Sequence, residues 1–297
     1  MTVNRIRPGR GDRMFEGFLY AIALGILLVV AVPLLFVLVA SHSDPDLVLR
    51  GKVFILPKGV TLQPYGMVFQ NPDIWLGYRN TVIYTVGGTF INIVMTVLAA
   101  YPLSRKDLRG RRFFMLLILF TMYFNGGLIP SYLLVRDLGM DNTPWAVLIP
   151  VAISTYNLIV CRTYFENNIP AEIYESARLD GCSNARMLVS IVLPLSKAIL
   201  AVLVLYYGVE HWNSFFSALI YLRKRELQPL QVILRDILLL GQTEQLGSND
   251  VGMGEKIKMA EAIKYSVIVL SSAPMLLLYP FVQKHFVKGV MVGAVKG

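Results

Sequence analysis

Few residues in this chain have the types and spacing that reaction chemistry needs. His42, His211 and His285 lie far apart, without the spacing of a metal-ligand set. No Gly-x-Ser-x-Gly nucleophile elbow occurs. Gly252-Met253-Gly254-Glu255-Lys256 lacks the Gly-x4-Gly-Lys-Ser/Thr order whose backbone N–H groups cradle phosphates. Cys161 and Cys182 are too few for a disulfide framework and read as reduced thiols without a reactive role. Catalysis, a metal site and nucleotide hydrolysis within the chain therefore have no residues to carry them. The densest organised polar chemistry lies in a short helical segment without the pattern of a reaction centre. Between Pro170 and Gly181, the polar side chains Glu172, Glu175, Ser176, Arg178 and Asp180 alternate with Ile173, Tyr174, Ala177 and Leu179. Pro170 suits a helix start, acids fall early, and Gly181 can end the helix in a left-handed conformation.

The elements that must position this segment are set by the solvent. Of the 297 residues, 55% are hydrophobic and only 16% charged, too little polar surface to coat a soluble globule of this size. The formal charge of +9 falls in short clusters between long uncharged runs, the arrangement of membrane topology rather than nucleic-acid binding. Gly17 to Ala40 follows Arg5, Arg7, Arg10 and Arg13 and is too long for a signal-peptide core, so it is expected to remain as a membrane helix. Thr81–Leu103, Phe113–Val135, Trp145–Cys161, Ile191–Tyr207 and Ala262–Val282 bring the expected spans to six, the third interrupted by Asn125, Gly126, Gly127 and Pro130. The fold class is thus an all-α membrane protein.

Orientation follows from the distribution of Lys and Arg. Ser104–Arg112 carries Arg105, Lys106, Arg109, Arg111 and Arg112, whereas Phe124–Pro144 carries Arg136 alone, so the amino tail and the Ser104 loop are expected inside. The expected division is a cytoplasmic tail at 1–14, a membrane domain at 15–287 with a cytoplasmic loop at 162–190, and a cytoplasmic tail at 288–297. Gly208–Glu261 is then external, its several Lys and Arg tolerated because long segments obey the rule weakly.

Periodicity alone would make 171–181 a surface helix packed on the membrane. Its residues say more. Glu175-Ser176-Ala177-Arg178-Leu179-Asp180-Gly181, nine residues, then Ile191-Val192-Leu193-Pro194, resembles the cytoplasmic loop signature of bacterial ABC importer permeases: Glu-Ala-Ala, two residues, Asp-Gly, nine residues, Ile-x-Leu-Pro. Ser176 replaces the usual first alanine, one small residue for another. Asn80-Thr81, Ala100–Arg105 and the tail Lys288–Gly297 resemble maltose-type carbohydrate permeases. Phe124–Tyr132 and Trp145-Ala146 are similar to a branch that imports oligosaccharides, including polyuronates, as does the smaller permease of alginate importers.

The resemblance implies the type I importer architecture and a mechanical role. Glu172–Gly181 would be a coupling helix seated on an ATP-binding subunit, with Ile173, Tyr174, Ala177 and Leu179 as apolar contact and Glu172, Glu175, Arg178 and Asp180 as polar rim. It also implies the partners: two ATP-binding subunits holding ATP and Mg2+, a second homologous permease, an extracytoplasmic solute-binding protein and membrane lipid, in a bacterial inner membrane with both termini cytoplasmic. The chain itself would hold no cofactor. Candidates for the sugar pathway are Tyr123, Phe124, Asn125, Trp145, Tyr156, Trp212 and Asn213, whose rings and amides sugars favour, although such residues also serve as interfacial anchors. Lys197 and Lys264 are ionisable groups near membrane depth that would suit a uronate carboxylate, or would snorkel to the interface. A permease for a neutral oligosaccharide and a secondary transporter are the alternatives; the latter would call for acidic residues inside the spans, and the expected span interiors have none.

Overall fold

The structure, a computed structural model, describes residues 9–245, 263–277 and 280. In chain order its helices are α1 (Arg10–Ser41), α2 (Pro45–Leu49), α3 (Gln63–Gln70), α4 (Pro72–Ser104), α5 (Arg111–Tyr123), α6 (Leu128–Asp137), α7 (Trp145–Leu148), α8 (Thr155–Asn168), α9 (Ala171–Leu179), α10 (Asn184–Met187), α11 (Leu193–Leu195), α12 (Lys197–Trp212), α13 (Phe216–Tyr221), α14 (Leu230–Gln245) and α15 (Ile263–Leu277). A π-helical turn, Leu188–Val192, joins α10 to α11, and a 3-10 turn, Arg225–Leu227, precedes α14. Every element among the described residues is helical.

The chain divides into two compact units, 1–70 with 237–271, and 71–236 with 272–297. In the first, α1 carries an apolar window with a mean hydropathy of 3.2, none of it buried within the chain. Such a surface is stable only against hydrocarbon or another protein. At its end, Ser41 accepts from Tyr65 Oη at 2.8 Å and, through its backbone carbonyl, from Ser266 Oγ of α15 at 3.4 Å. Tyr65 leads α3 back beside α1, and Tyr265 meets Phe36 edge-on at 5.7 Å.

In the second unit α4 is the central strut. Asn71 caps it by accepting from Asp73 N at 3.0 Å, with Pro72 in the first turn where no N–H is needed. One side of α4 packs along α12 and α8 in a core that includes Ala100, Phe165, Cys161, Val192, Leu203 and Tyr207. Gly88 permits the approach of α12, because a Cβ there would fall inside the His211 ring. His211 Nε2 meets Asn92 Oδ1 at 2.6 Å, and Asn92 Nδ2 donates to Val151 O at 2.5 Å. Tyr207 Oη lies 2.6 Å from Thr96 Oγ1 and accepts from Ser154 N at 3.2 Å. The backbone freed at Pro150–Ser154 is thus satisfied by side chains of the long helices, as hydrocarbon surroundings require.

Two expected spans are broken. Trp145–Cys161 is not one helix: α7 is a single turn, the chain turns at Pro150–Ser154, and α8 runs beyond Cys161 to Asn168. Ile191–Tyr207 is bent by 84° at Ser196, after Pro194 withholds the N–H that a continuing helix would use. Its continuation α12 reaches Trp212, taking Glu210 and His211 into the helix. The interruption at Asn125–Gly127 is a bend of 112° between α5 and α6. Among the described residues, α1 and α4 are each long and apolar enough to cross a membrane, and each bent pair counts as a span if taken whole. The tail at 288–297, Arg5 and Arg7, and the stretch containing Gly252–Lys256 lie outside the described residues.

Candidate functional site

The organised polar segment folds as α9, and local chemistry sets both its ends. Ile169, before a proline, is held extended at φ −111° and ψ 107° and is buried in the core, which ends α8. Pro170 then serves as the N-cap rather than the first helical residue, and Glu172 faces the positive end of the helix. At the other end Gly181 has φ +74°, with Gly181 N donating to Arg178 O at 3.0 Å and Cys182 N to Ala177 O at 2.9 Å. This pair of bonds is a Schellman ending, which a left-handed glycine makes at no steric cost. Ser183 caps α10 at once by accepting from Arg186 N.

The helix presents two faces. Ala177 is buried, and Ile173 and Tyr174 are half-buried against the body of the chain. Glu172, Glu175, Ser176 and Leu179 form the opposite stripe at helical spacing, and all are exposed, Leu179 at 90%. Of the residues expected to make the apolar contact, Tyr174 packs on the core of this chain and Ala177 is buried, so neither is open to a partner, while Ile173 is half-buried. The face open to a partner is the acidic pair, the small Ser176 and Leu179.

What fixes α9 was not visible in its own sequence. Asp107, in the loop between α4 and α5, accepts from Arg105 Nε and Nη2 at 3.1 Å each and also pairs with Arg178 of α9. The Arg105 guanidinium lies 4.4 Å from the Tyr174 ring centroid and donates to Met187 Sδ at 3.3 Å. The hydrogen bonds from Arg105, and then from Arg178, hold the Asp107 carboxyl well below the usual carboxylate range, and the bond to Asp107 raises Arg105 in turn. Burial pushes the Tyr174 hydroxyl up from its ordinary value. The Arg178–Asp107 pair is about half exposed and contributes roughly 0–1 kcal/mol. Arg105 is 9% exposed and its cation–π contact adds about 0.5–2 kcal/mol, so the clamp is centred on Arg105. A cavity of ≈ 460 Å³ lined by Tyr101, Pro102, Leu108 and Leu188 opens beside it.

The same loop is tied to α8. Arg111 and Arg162 both reach Glu166 Oε1, at 2.5 and 2.8 Å, and Arg162 Nε donates to Leu103 O at 3.1 Å. In the sequence Arg111 counted only as a topology signal and Arg162 only as a loop boundary; the useful clue was two carboxylates, Asp107 and Glu166, placed near them.

At the opposite end of α4 a second polar assembly holds the segment after α13. Asn80 Nδ2 donates to the carbonyls of Glu226 and Gln228 at 2.7 and 3.0 Å, and Thr81 Oγ1 accepts from Leu230 N, capping α14. Arg225 bridges Asp73 and Asp236 at 2.9 and 2.7 Å. Burial opposes its charge, but the bonds to the two aspartates outweigh it and raise its pKa.

The pathway candidates are scattered. Tyr123 and Asn125 are exposed at the α5–α6 bend, where Asn125 Oδ1 accepts from Gly127 N, and Trp145 is exposed at the start of α7. Tyr156 lies 6.3 Å from Tyr206, and Trp212 is buried 6.3 Å from Tyr78. Asn213 ends α12 with Nδ2 on Val209 O, Lys197 is exposed at its first turn, and Lys264 lies 5.1 Å from the Tyr265 ring.

The basic loop at the end of the long helix α4 holds the short helix α9, and the comparisons with known proteins say what kind of protein carries this arrangement. Residues 74–292 match the family described as "Binding-protein-dependent transport system inner membrane component", and the chain belongs to that family. It is a multi-pass inner-membrane permease of the carbohydrate ABC importer class, works with an ATPase and a binding protein, and has no catalytic role or cofactor of its own. Among its relatives is the polygalacturonan/rhamnogalacturonan transport system permease protein YtcP of Bacillus subtilis, 38% identical over 286 residues, covering 96% of this chain and 99% of that protein. Protein LplC of the same organism is 37% identical over 295 residues, covering 99% of each chain. A crystal structure of a bacterial ABC transporter involved in the import of the acidic polysaccharide alginate matches with a TM-score of 0.84 at 36% identity, over 95% of this chain and 99% of that one.

Proposed function

We propose that this permease admits oligosaccharides of uronic acids, alginate or its pectic counterparts, and that α9 is the lever by which ATP hydrolysis in a partner subunit opens the path. The observation that carries the lever is the division of α9 into an inner face locked by Asp107 and Arg105 and an outer stripe of Glu172, Glu175, Ser176 and Leu179 left exposed. A cleft on the ATPase with a small apolar floor and basic edges complements that stripe. Closure of two ATP-binding subunits would draw the α9 helices of paired permeases together. The clamp passes the displacement to α4, a strut ~50 Å long by its helical rise, and so to the Arg225 assembly at the far end. Both termini then lie in the cytoplasm, and the α13–α14 segment faces the binding protein.

The anionic substrate is supported by two relatives, YtcP and the solved alginate transporter, both named for acidic polysaccharides. The test is ATP hydrolysis by the complex with its ATPase and binding protein in lipid. Stimulation by alginate or oligogalacturonate, but not by maltose, is expected. Stimulation by neutral sugar alone would remove the uronate and keep the permease.

A further inference from the structure

Three arginines ring a cavity of ≈ 360 Å³ at the start of α5: Arg111, Arg112 and Arg162, with Met115, Leu116 and Leu119 as the rest of its lining. Arg111 and Arg162 share the single carboxylate of Glu166, while Arg112 is exposed and makes no ion pair among the described residues. Three guanidinium groups thus line the cavity with one carboxylate paired to two of them, and each arginine retains N–H donors beyond those spent on Glu166, Leu103 O and Ser104 O. The other half of the lining is aliphatic. Met115 is buried, Leu119 half-buried, and Leu116 exposed towards an apolar surface that continues through Phe113, Leu117 and Phe120.

We infer that this cavity binds an acidic phospholipid, the phosphate against Arg112 and the remaining donors of Arg111 and Arg162, with an acyl chain along Leu116 and Leu119. A free phosphate would leave the aliphatic half without a use, and an acidic peptide would have to reach down the apolar side of α5. A lipid uses both halves, and basic pockets at the cytoplasmic ends of membrane helices suit anionic headgroups. The volume equals about twelve waters, room for a phosphate ester and its glycerol. The lipid touches the arginines that hold Glu166, two residues before the Asn168–Pro170 break into α9, so it steadies the root of that helix. This last consequence rests on the lever role proposed above; the binding does not.

The experiment counts phosphatidylglycerol and phosphatidylcholine retained by the assembled transporter from mixed-lipid nanodiscs, using native mass spectrometry. The expected result is at least a five-fold preference for phosphatidylglycerol, lost in Arg112→Gln and weakened in Leu119→Gln, but kept in Arg136→Gln, whose arginine pairs with Asp137 instead. Equal retention of the two lipids by the unaltered protein, or a preference untouched by both Arg112→Gln and Leu119→Gln, overturns the site. Displacement of the lipid by glycerol 3-phosphate at equal concentration overturns it in favour of a free anion. Cross-linking of a photoreactive group at Leu116 to a partner subunit instead of lipid overturns it in favour of a protein contact. Retained preference for phosphatidylglycerol in a complex whose ATPase ignores every uronate would leave this site standing and remove the proposed substrate.

Discussion

Asp107 joins the loop after α4 to α9, accepting from Arg105 and pairing with Arg178. Its folded-state pKa is depressed, so its contribution to stability is present above the ordinary carboxylate range near 4 and is lost only as pH falls through the depressed value. Between pH 5 and 8 the clamp keeps constant charge. Asp107→Asn breaks a half-exposed pair with Arg178 and also takes the charged partner from Arg105, which is 9% exposed, so it is expected to cost about 1–3 kcal/mol and to raise the ATP consumed per sugar transported several-fold. Stoichiometry measured in proteoliposomes tests this; an unchanged ratio would show that the clamp is idle. Gly181 supplies a contrasting case, since a Cβ there meets nothing within 4 Å and only the left-handed backbone is at stake. Gly181→Asn is expected to be near neutral and Gly181→Val to cost about 1–2 kcal/mol and uncouple hydrolysis from uptake. Equal behaviour of the two variants would remove the backbone explanation.

At the scale of elements, α9 was legible because its signals are local: Pro170 at the start, Gly181 at the end, and the loop motif between and beyond. The Asp107–Arg178 contact joins residues 71 apart in sequence, and nothing in the run of basic residues marked which carboxylate would meet which arginine. The broken spans were missed for a different reason. Pro150 and Pro194 were visible, but a proline in a membrane helix is tolerated when neighbours satisfy the freed groups, and that depends on partners such as Asn92 and Tyr207 supplied by other helices. Asn80-Thr81 was readable as a motif and not as a mechanism until its bonds to Glu226, Gln228 and Leu230 were seen. The α4–α12 contact gives the prediction at this scale. Gly88→Ala forces a methyl group into the buried His211 ring and is expected to destabilise the unit by about 1–3 kcal/mol, read as a lower midpoint in thermal unfolding of the detergent-solubilised complex. Wild-type stability in that variant would mean that the two helices do not approach so closely.

For the whole molecule, α4 assigns sides to everything it touches. Its last turn leads into the loop that grips α9, and its first turns hold the Arg225 segment, so those two assemblies must lie on opposite faces of the membrane if α4 crosses it. The topology proposed above, with the basic residues of Ser104–Arg112 retained inside, requires the α9 side to be cytoplasmic. Thiol accessibility tests this without assuming any transport activity. Cys161 is buried and Cys182 half-buried, so a Cys182→Ser background leaves no readily reached thiol among the described residues. In that background Lys106→Cys, exposed in the loop that holds α9 and off the stripe offered to the ATPase, should react with a membrane-impermeant maleimide only after the cells are opened. Arg223 is exposed beside Asp141 and Tyr132, and Arg223→Cys should react in spheroplasts whose membrane is intact. The reverse pattern would invert the molecule and move α9 away from any cytoplasmic ATPase. Labelling of both positions from one side would mean that α4 does not span the bilayer, which would undo the lever and the topology together.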